Sequence, residues 1–232
     1  MAGETIKSEA ICLDIRPWSR TSHVVFWLTP DGKVSTVVKG AVRSKSAFLG
    51  QYDLNYTCEI VYYARAKGEL HALRECVPVD LRESLRSDYR ALALAGYFRR
   101  LVSELSPPGS ECRPWYDLLS ATLERSQRRV SPAVLVSFEL KVLALAGLAP
   151  DFSGYDRDAE WSSFSLESGS FAGTGGRILR ISRKVADFLN HPCEICENSQ
   201  IPLDAARVIG VFYQLHLDCA FDIRRLVMEM IS

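Results

Sequence analysis

Hydrophobic and polar positions follow two different periods along the chain, and the change comes near residue 80. Before it, short runs rich in β-branched and aromatic residues are bounded by turn residues, which is typical of strands. The predicted strands cover residues 11–16, 23–29, 33–39, 54–63 and 69–76. Five short strands favour a small closed barrel, because closure removes the unpaired edges of an open sheet.

Two turn sequences support this arrangement. Thr29-Pro30-Asp31-Gly32 predicts a hairpin between the second and third strands, since proline presets φ and glycine tolerates a positive φ. Lys67-Gly68 predicts a similar connection between the last two strands.

The remaining chain has a helical period. One helix is predicted from apolar residues at helical spacing, which are Leu94, Tyr97, Phe98, Leu101 and Leu105. This helix should end at Pro107-Pro108-Gly109. Ser131-Pro132 is typical of a helix start, and Gly147 of a helix end. The segment between them is apolar nearly all round, which predicts the centre of a helical core.

Further helices are predicted over residues 115–129, 178–190, 203–219 and 222–230, with an irregular loop segment over 150–177. The chain is therefore predicted to be an α+β protein. A barrel domain should cover residues 1–80, and an all-α domain should cover residues 81–232.

Charge is balanced over the whole chain, with 28 Lys plus Arg against 28 Asp plus Glu. This balance argues against a uniformly basic nucleic-acid binder. Residues 16–45 nevertheless hold a single acidic residue, Asp31, against a set of cations: Arg16, Arg20, Lys33, Lys39, Arg43 and Lys45. A local excess matters more than the sum, because a polyanion responds to the field near its groove.

Aromatic residues close to these cations could stack on bases, and the candidates are Phe26, Trp27 and Tyr52. The alternative is a solvated loop beside a barrel whose aromatic side chains all lie in its core. From the residues alone, both interpretations stay open.

Catalytic and metal motifs are weak. Cys193-Glu194-Ile195-Cys196 has metal-ligand spacing near His191, but a second CxxC is absent, and His216 and Cys219 fall in an apolar helical pattern. Gly173-Thr174-Gly175-Gly176 lacks the GK[ST] ending of a phosphate loop, so a plain loop is favoured over a nucleotide-hydrolysing site.

Glu139, in the most apolar helix, is expected to pair with an arginine rather than to act in catalysis.

Seven scattered cysteines indicate a reducing compartment, and the first ten residues contain no apolar signal segment, so a cytoplasmic protein is expected. The sequence shows neither a GxSxG nor an HExxH motif, so we do not expect an enzyme.

Three stretches of the sequence are distinctive together: AICLDIRPWSRTS over residues 10–22 followed by TPDGK over 29–33, VKGA over 38–41 with Arg43 and Ser46, and FELKVLALAGLAP over 138–150. In these stretches the chain resembles the RecO family of bacterial DNA repair and recombination mediators. The resemblance implies an N-terminal OB-fold and a helical domain with an embedded zinc-ribbon-like segment.

The same resemblance implies the function. It implies binding to single- and double-stranded DNA, annealing of complementary strands, and recombinase loading on DNA coated by single-strand binding protein, in the RecFOR pathway. The implied partners are RecR and the acidic C-terminal tail of the single-strand binding protein. The implied location is the bacterial cytoplasm, at the nucleoid.

The sequence departs from the family at the zinc segment. The places where many members carry cysteine pairs fall near Tyr155, Asp158, Ala172 and Gly175, and none of these is Cys or His. We therefore expect no zinc and no other cofactor. The segment should be held instead by aromatic packing of Phe152, Trp161, Phe164 and Phe171.

Two functional hypotheses follow. In the first, the cations of residues 16–45 contact DNA phosphates. In the second, the protein is an adaptor whose barrel docks partner proteins, with DNA contact secondary. Helical arginines would then hold an acidic tail, and the candidates are Arg90, Arg99, Arg100, Arg125, Arg128 and Arg129.

Overall fold

A computed structural model describes residues 4–65, 70–171, 176–193, 200–217 and 221–231. The chain packs as two compact units. One consists of Met1–Ser87 and Val102–Glu124, and the other of Asp88–Leu101 and Arg125–Ser232.

The first unit contains the predicted barrel. Its strands are β1 (Thr5–Ser19), β2 (Ser22–Thr29), β3 (Gly32–Val38), β4 (Thr57–Tyr63) and β5 (Leu70–Asp80). They close in the order β1-β2-β3-β5-β4, and the pairings are antiparallel except for the short parallel contact of β3 with β5. The five-stranded OB-fold prediction is therefore confirmed.

The predicted turn between β2 and β3 is also confirmed. Thr29 pairs with Gly32 across the hairpin, and the Thr29 hydroxyl donates to the Gly32 carbonyl at 2.8 Å. The second predicted turn, Lys67-Gly68, lies outside the described residues.

Alternate side chains of the strands fill the barrel. Trp27, Val25, Cys12 and Ile60 point inward and are fully buried. The indole nitrogen of Trp27 donates to the Thr36 hydroxyl at 2.9 Å, so this buried polar group is satisfied.

The helices follow in chain order. They are α1 (Glu83–Ser87), α2 (Tyr89–Leu105), α3 (Arg113–Ser126), α4 (Pro132–Leu145), α5 (Arg183–Asn190), α6 (Gln200–His216) and α7 (Phe221–Ile231). Ser131 caps α4 as predicted, because its hydroxyl accepts from the Val134 amide at 3.4 Å. Gly147 has a φ of 72° just after α4, a conformation that glycine adopts without strain.

The second unit is organised around a buried ion pair on α4. Glu139 is fully buried, and its carboxylate accepts two hydrogen bonds from Arg224, at 2.7 and 2.9 Å. Tyr97 donates to the same carboxylate at 2.6 Å. Burial, and then the neighbouring carboxylate, raise the pKa of Tyr97 well above its usual value, which keeps the phenol protonated as a donor. The expected pairing of Glu139 with an arginine is confirmed.

Two predictions for the segment before α5 are wrong. Residues 178–190 do not form one helix, because Ile178–Ser182 is a strand, β7, and only Arg183–Asn190 is helical. β7 pairs antiparallel with β6 (Trp161–Ser165), which lies inside the segment predicted to be irregular. A segment of five residues is too short for its hydrophobic period to distinguish a strand from a helical turn.

None of the helices in the described ranges combines the length and apolar composition that a bilayer span requires.

Candidate nucleic-acid interface

Two turns of the barrel are joined so that the basic loop after β3 lies beside the end of β1. The Val42 amide donates to the Thr21 carbonyl at 3.4 Å, and the Gly40 amide donates to the Ser22 hydroxyl at 3.3 Å. Gly40 has a φ of 64°, which favours glycine and lets the chain turn back after Val38. Residues far apart in sequence are thereby brought to one surface.

The far end of the same loop is anchored as well. The Cys12 amide donates to the Tyr56 carbonyl at 2.9 Å, and the Asn55 amide donates to the Cys12 carbonyl at 3.1 Å. Arg86 bonds Asp53 at 2.6 Å, and its guanidinium lies over the Tyr56 ring. The loop is thus tied to β1 and α1 at its end, while its basic part faces solvent.

A groove of about 480 Å³ lies between the two joined turns. Its lining includes Trp18, Lys39 and Arg43, with hydroxyl-bearing residues Ser19 and Thr21 beside them. Within the described part of the chain, no carboxylate lies within ion-pair distance of the Lys39 ammonium or the Arg43 guanidinium. Both cations are therefore available to an anion.

A second groove, of about 370 Å³, also has Trp18 in its lining. Arg16 lines it together with Val24, Phe26 and Leu70. The Arg16 guanidinium bonds Asp14 at 2.7 Å and lies over the Phe26 ring, 4.8 Å from its centroid. This ion pair is largely exposed, and such pairs contribute little free energy, so Arg16 can exchange its partner for a phosphate. We call Arg16, Trp18, Lys39 and Arg43 the Trp18 surface.

Three other predicted cations lie elsewhere. Arg20, in the turn after β1, and Lys45, in the loop after β3, are exposed but line neither groove. The Lys33 ammonium donates to the carbonyls of Ser103 and Ser106, at 3.2 and 2.6 Å. These carbonyls lie at the C-terminal end of α2, where the helix dipole favours a cation, so Lys33 has a structural role in the first unit.

The predicted stacking aromatics do not share one environment. Trp27 is wholly buried in the barrel core, so its prediction as a base contact is corrected: no face of the ring is open to a base. Tyr52 packs against Trp27 and bonds His23 at 2.9 Å at the barrel end, and burial raises its pKa. Phe26 is half-buried on the outer face beneath Arg16.

Trp18 is the residue that the sequence analysis did not select. Its side chain is 62% exposed, and it is in the lining of both grooves. One signal was present: Trp18 follows Arg16 by two residues near the end of β1, and both side chains line the second groove although the strand register shifts at Trp18.

The second unit has an apolar groove of about 300 Å³ between β7 and α6. Its walls include Trp161, Leu179 and Val211, and two arginines, Arg180 and Arg207, line it. The arginines proposed for an acidic tail do not line it; these are Arg90, Arg99, Arg100, Arg125, Arg128 and Arg129. The prediction that all six lie on helices is wrong for Arg128 and Arg129, because α3 already ends at Ser126. Arg90 pairs with Asp88 at 3.4 Å.

Two of the four positions compared with the family's cysteine pairs, Tyr155 and Asp158, lie within the described residues, and both bond to carboxylates of the chain. Tyr155 donates its hydroxyl to Asp187, and the Asp158 amide bonds the Asp156 carboxylate at 2.9 Å. Over the described ranges, no cluster of His, Cys, Asp or Glu side chains is suited to a metal ion. Ala172, the Gly173–Gly175 part of the glycine-rich loop, Cys196 and Cys219 lie outside the described residues.

The predicted aromatic packing of the segment over residues 150–177 is found for three of its four side chains. Phe164 stacks on Phe152, with centroids 4.9 Å apart, and meets Phe171 edge to face at 5.1 Å. Trp161 does not join this cluster, since it is 47% exposed beside Arg180.

Known proteins resemble both parts of the chain. The family profile "Recombination protein O N terminal" matches residues 1–82, and "Recombination protein O C terminal" matches residues 86–220. The DNA repair protein RecO of Alkaliphilus metalliredigens is 28% identical over 217 residues, which are 92% of this chain and 82% of that protein.

Two further relatives carry the same name. The DNA repair protein RecO of Syntrophotalea carbinolica is 27% identical over 178 residues, covering 76% of this chain and 68% of that protein. The one from Geobacter metallireducens is 33% identical over 146 residues, covering 62% and 59%. Since the two profiles together match nearly the whole chain, it belongs to the RecO family of DNA repair proteins.

Proposed function

We propose that the chain is a non-enzymatic DNA-binding mediator that holds single- and double-stranded DNA at the Trp18 surface. The observation that carries this proposal is that Trp18 shares one groove with Lys39 and Arg43, from the loop after β3, and a second groove with Arg16, from β1. That loop is hydrogen-bonded to the turn that follows β1. Lysine and arginine neutralise phosphates and release counterions, which drives binding without regard to base sequence. The β2–β3 side of an OB-fold barrel commonly carries such a site.

Annealing of complementary strands follows from the same chemistry. Two strands repel each other through their phosphates, and cations that neutralise one strand lower this repulsion for the second. In this proposal the protein works at the nucleoid, in the cytoplasm, and helps to load a recombinase together with RecR. RecR is proposed on family membership alone.

The proposal is tested by titrating a labelled oligothymidine and a duplex with the full chain at several salt concentrations. Three phosphate contacts predict that log K falls with log salt with a slope of about −2 for the single strand, and nearer −3 for the duplex. If the protein does not bind DNA at low salt, or if its affinity does not change with the salt concentration, the proposed site is wrong.

A second candidate function is an adaptor that takes an acidic peptide at the β7–α6 groove. The groove combines an apolar wall at Trp161 and Val211 with the cations Arg180 and Arg207. Arg207 pairs with Asp204 at 2.7 Å, but this pair is exposed and easily exchanged. A C-terminal tail with acidic and apolar residues, such as that of single-strand binding protein, matches both features.

Charge reversal tests this adaptor function. The Arg180→Glu/Arg207→Glu variant is expected to weaken binding of a peptide with an acidic and apolar C-terminus by about tenfold or more, because two charge-assisted contacts are lost. Isothermal titration measures the affinity. Lys141→Glu/Lys184→Glu, which reverses two exposed lysines outside the groove, is the control matched in charge. Equal binding by the double variant and the control contradicts this site.

The segment before β7 is proposed to fold without zinc, supported by the Phe152, Phe164 and Phe171 cluster. A stoichiometric zinc ion in the purified protein contradicts this.

A further inference from the structure

Trp18 is a largely exposed indole near the end of β1. Its side chain is 62% exposed, whereas Trp27 in the barrel and Trp115 on α3 are almost entirely buried. Leaving a large apolar ring in water forgoes the free energy that burial provides. An exposed large aromatic that is also surrounded by cations indicates a binding surface.

The position of Trp18 is specific as well. It is the residue that the linings of both grooves of the Trp18 surface share. Lys39 and Arg43 line one groove with it, and Arg16 lines the other with it. A DNA strand bound along both grooves would place phosphates near these cations and a base near the indole.

We propose that Trp18 is a stacking platform for an unpaired base, which gives the site a preference for single-stranded over duplex DNA. The inference rests on the proposed function, because it assigns a specificity role to one residue of that same site. Phosphate contacts are common to both forms of DNA. In a duplex the bases already stack on their neighbours, so only a single strand can offer a free ring face to Trp18.

The test compares Trp18→Ala with the parent protein on three probes of equal length: oligothymidine, a duplex, and an abasic strand that keeps the phosphates without bases. The variant is expected to bind oligothymidine about 5- to 150-fold more weakly, the range for one lost stacking contact. Its affinity for the duplex and the abasic strand is expected to change by less than about twofold. Trp18→Phe should retain most of the parent's affinity for oligothymidine.

Fluorescence gives an independent measurement. Trp161 is the other exposed tryptophan, so Trp161→Phe leaves Trp18 as the one that solvent and ligand reach. Oligothymidine is expected to quench the emission of this variant, and additional Trp18→Phe replacement should abolish the quenching. Tyr89→Ala, which removes an exposed aromatic ring that lines none of the three grooves, is the matched control for affinity.

The outcomes separate the two proposals. If Trp18→Ala weakens all three probes equally, or none of them, the stacking role is wrong, while salt-dependent binding by the parent still supports the proposed function. If the parent protein binds none of the probes at low salt, the proposed function and the stacking role are both wrong.

Discussion

Reversing the charge of Lys39 and Arg43 together is expected to lower the affinity for single-stranded DNA by on the order of 100-fold at about 0.1 M salt. The Lys39→Glu/Arg43→Glu variant loses two phosphate contacts and places two carboxylates in the groove, where they repel the backbone. The salt dependence should flatten as well, with the slope falling in size by about 1.4 for two lost contacts. Anisotropy titration across a salt series measures both quantities.

The matched control reverses two cations at other places on the barrel. Lys7 pairs with Glu59 at 2.8 Å, and Arg74 pairs with Glu75 at 3.1 Å, all on exposed strand positions. Lys7→Glu/Arg74→Glu changes the net charge by the same amount, yet it leaves the Trp18 surface intact. If both double variants lose affinity equally, binding responds to the overall charge of the protein, and the proposed groove is wrong.

Removing the cation from the buried pair of the second unit is expected to lower the free energy of unfolding by about 3–5 kcal/mol. In Arg224→Met the Glu139 carboxylate stays fully buried and loses both guanidinium bonds. The Ala206 carbonyl, which accepts from Arg224 at 2.6 Å, loses its donor as well. The loss is a large part of the 5–15 kcal/mol typical of a folded domain. Chemical denaturation measures it.

Two further variants isolate the cause. Glu139→Gln/Arg224→Met removes the buried charge but keeps an acceptor for Tyr97, so it should recover at least half of the loss. Arg225→Met deletes the neighbouring arginine of α7, which is exposed, and should change stability by less than about 0.5 kcal/mol. If the double variant is no more stable than Arg224→Met, the burial of an unpaired charge is not the source of the instability.

Secondary structure was predictable where local signals agreed. The turn at Thr29–Gly32 and the cap at Ser131 fixed the ends of their elements, because proline, glycine and serine act on the backbone next to them. The strand at Ile178–Ser182 was predicted as helix for the opposite reason. Its five residues carry too few positions to show a period, and only the pairing with Trp161–Ser165 makes it a strand.

The cations of the candidate site were all visible in the sequence, but their environments were not. Lys33 and Lys39 lie at the two ends of β3 and looked equivalent. One bonds the end of a helix from a distant part of the chain, and the other faces an open groove. The two tryptophans Trp18 and Trp27 could not be told apart from the sequence either. Closure of the barrel buries Trp27 in its core and leaves Trp18 exposed, and the sequence does not show which face of each strand points inward.

The sequence by itself determined the two periods, the five-stranded barrel, the helical region that follows it and the excess of cations over residues 16–45, since these depend on the order of neighbouring residues. The tertiary structure alone decided which cations share a surface. Arg16 and Arg43 are far apart along the chain, and both line grooves that include Trp18 because the turn at Gly40 is bonded to Thr21 and Ser22. The partner of Glu139 was decided in the same way, since Arg224 reaches it across the fold from the last helix.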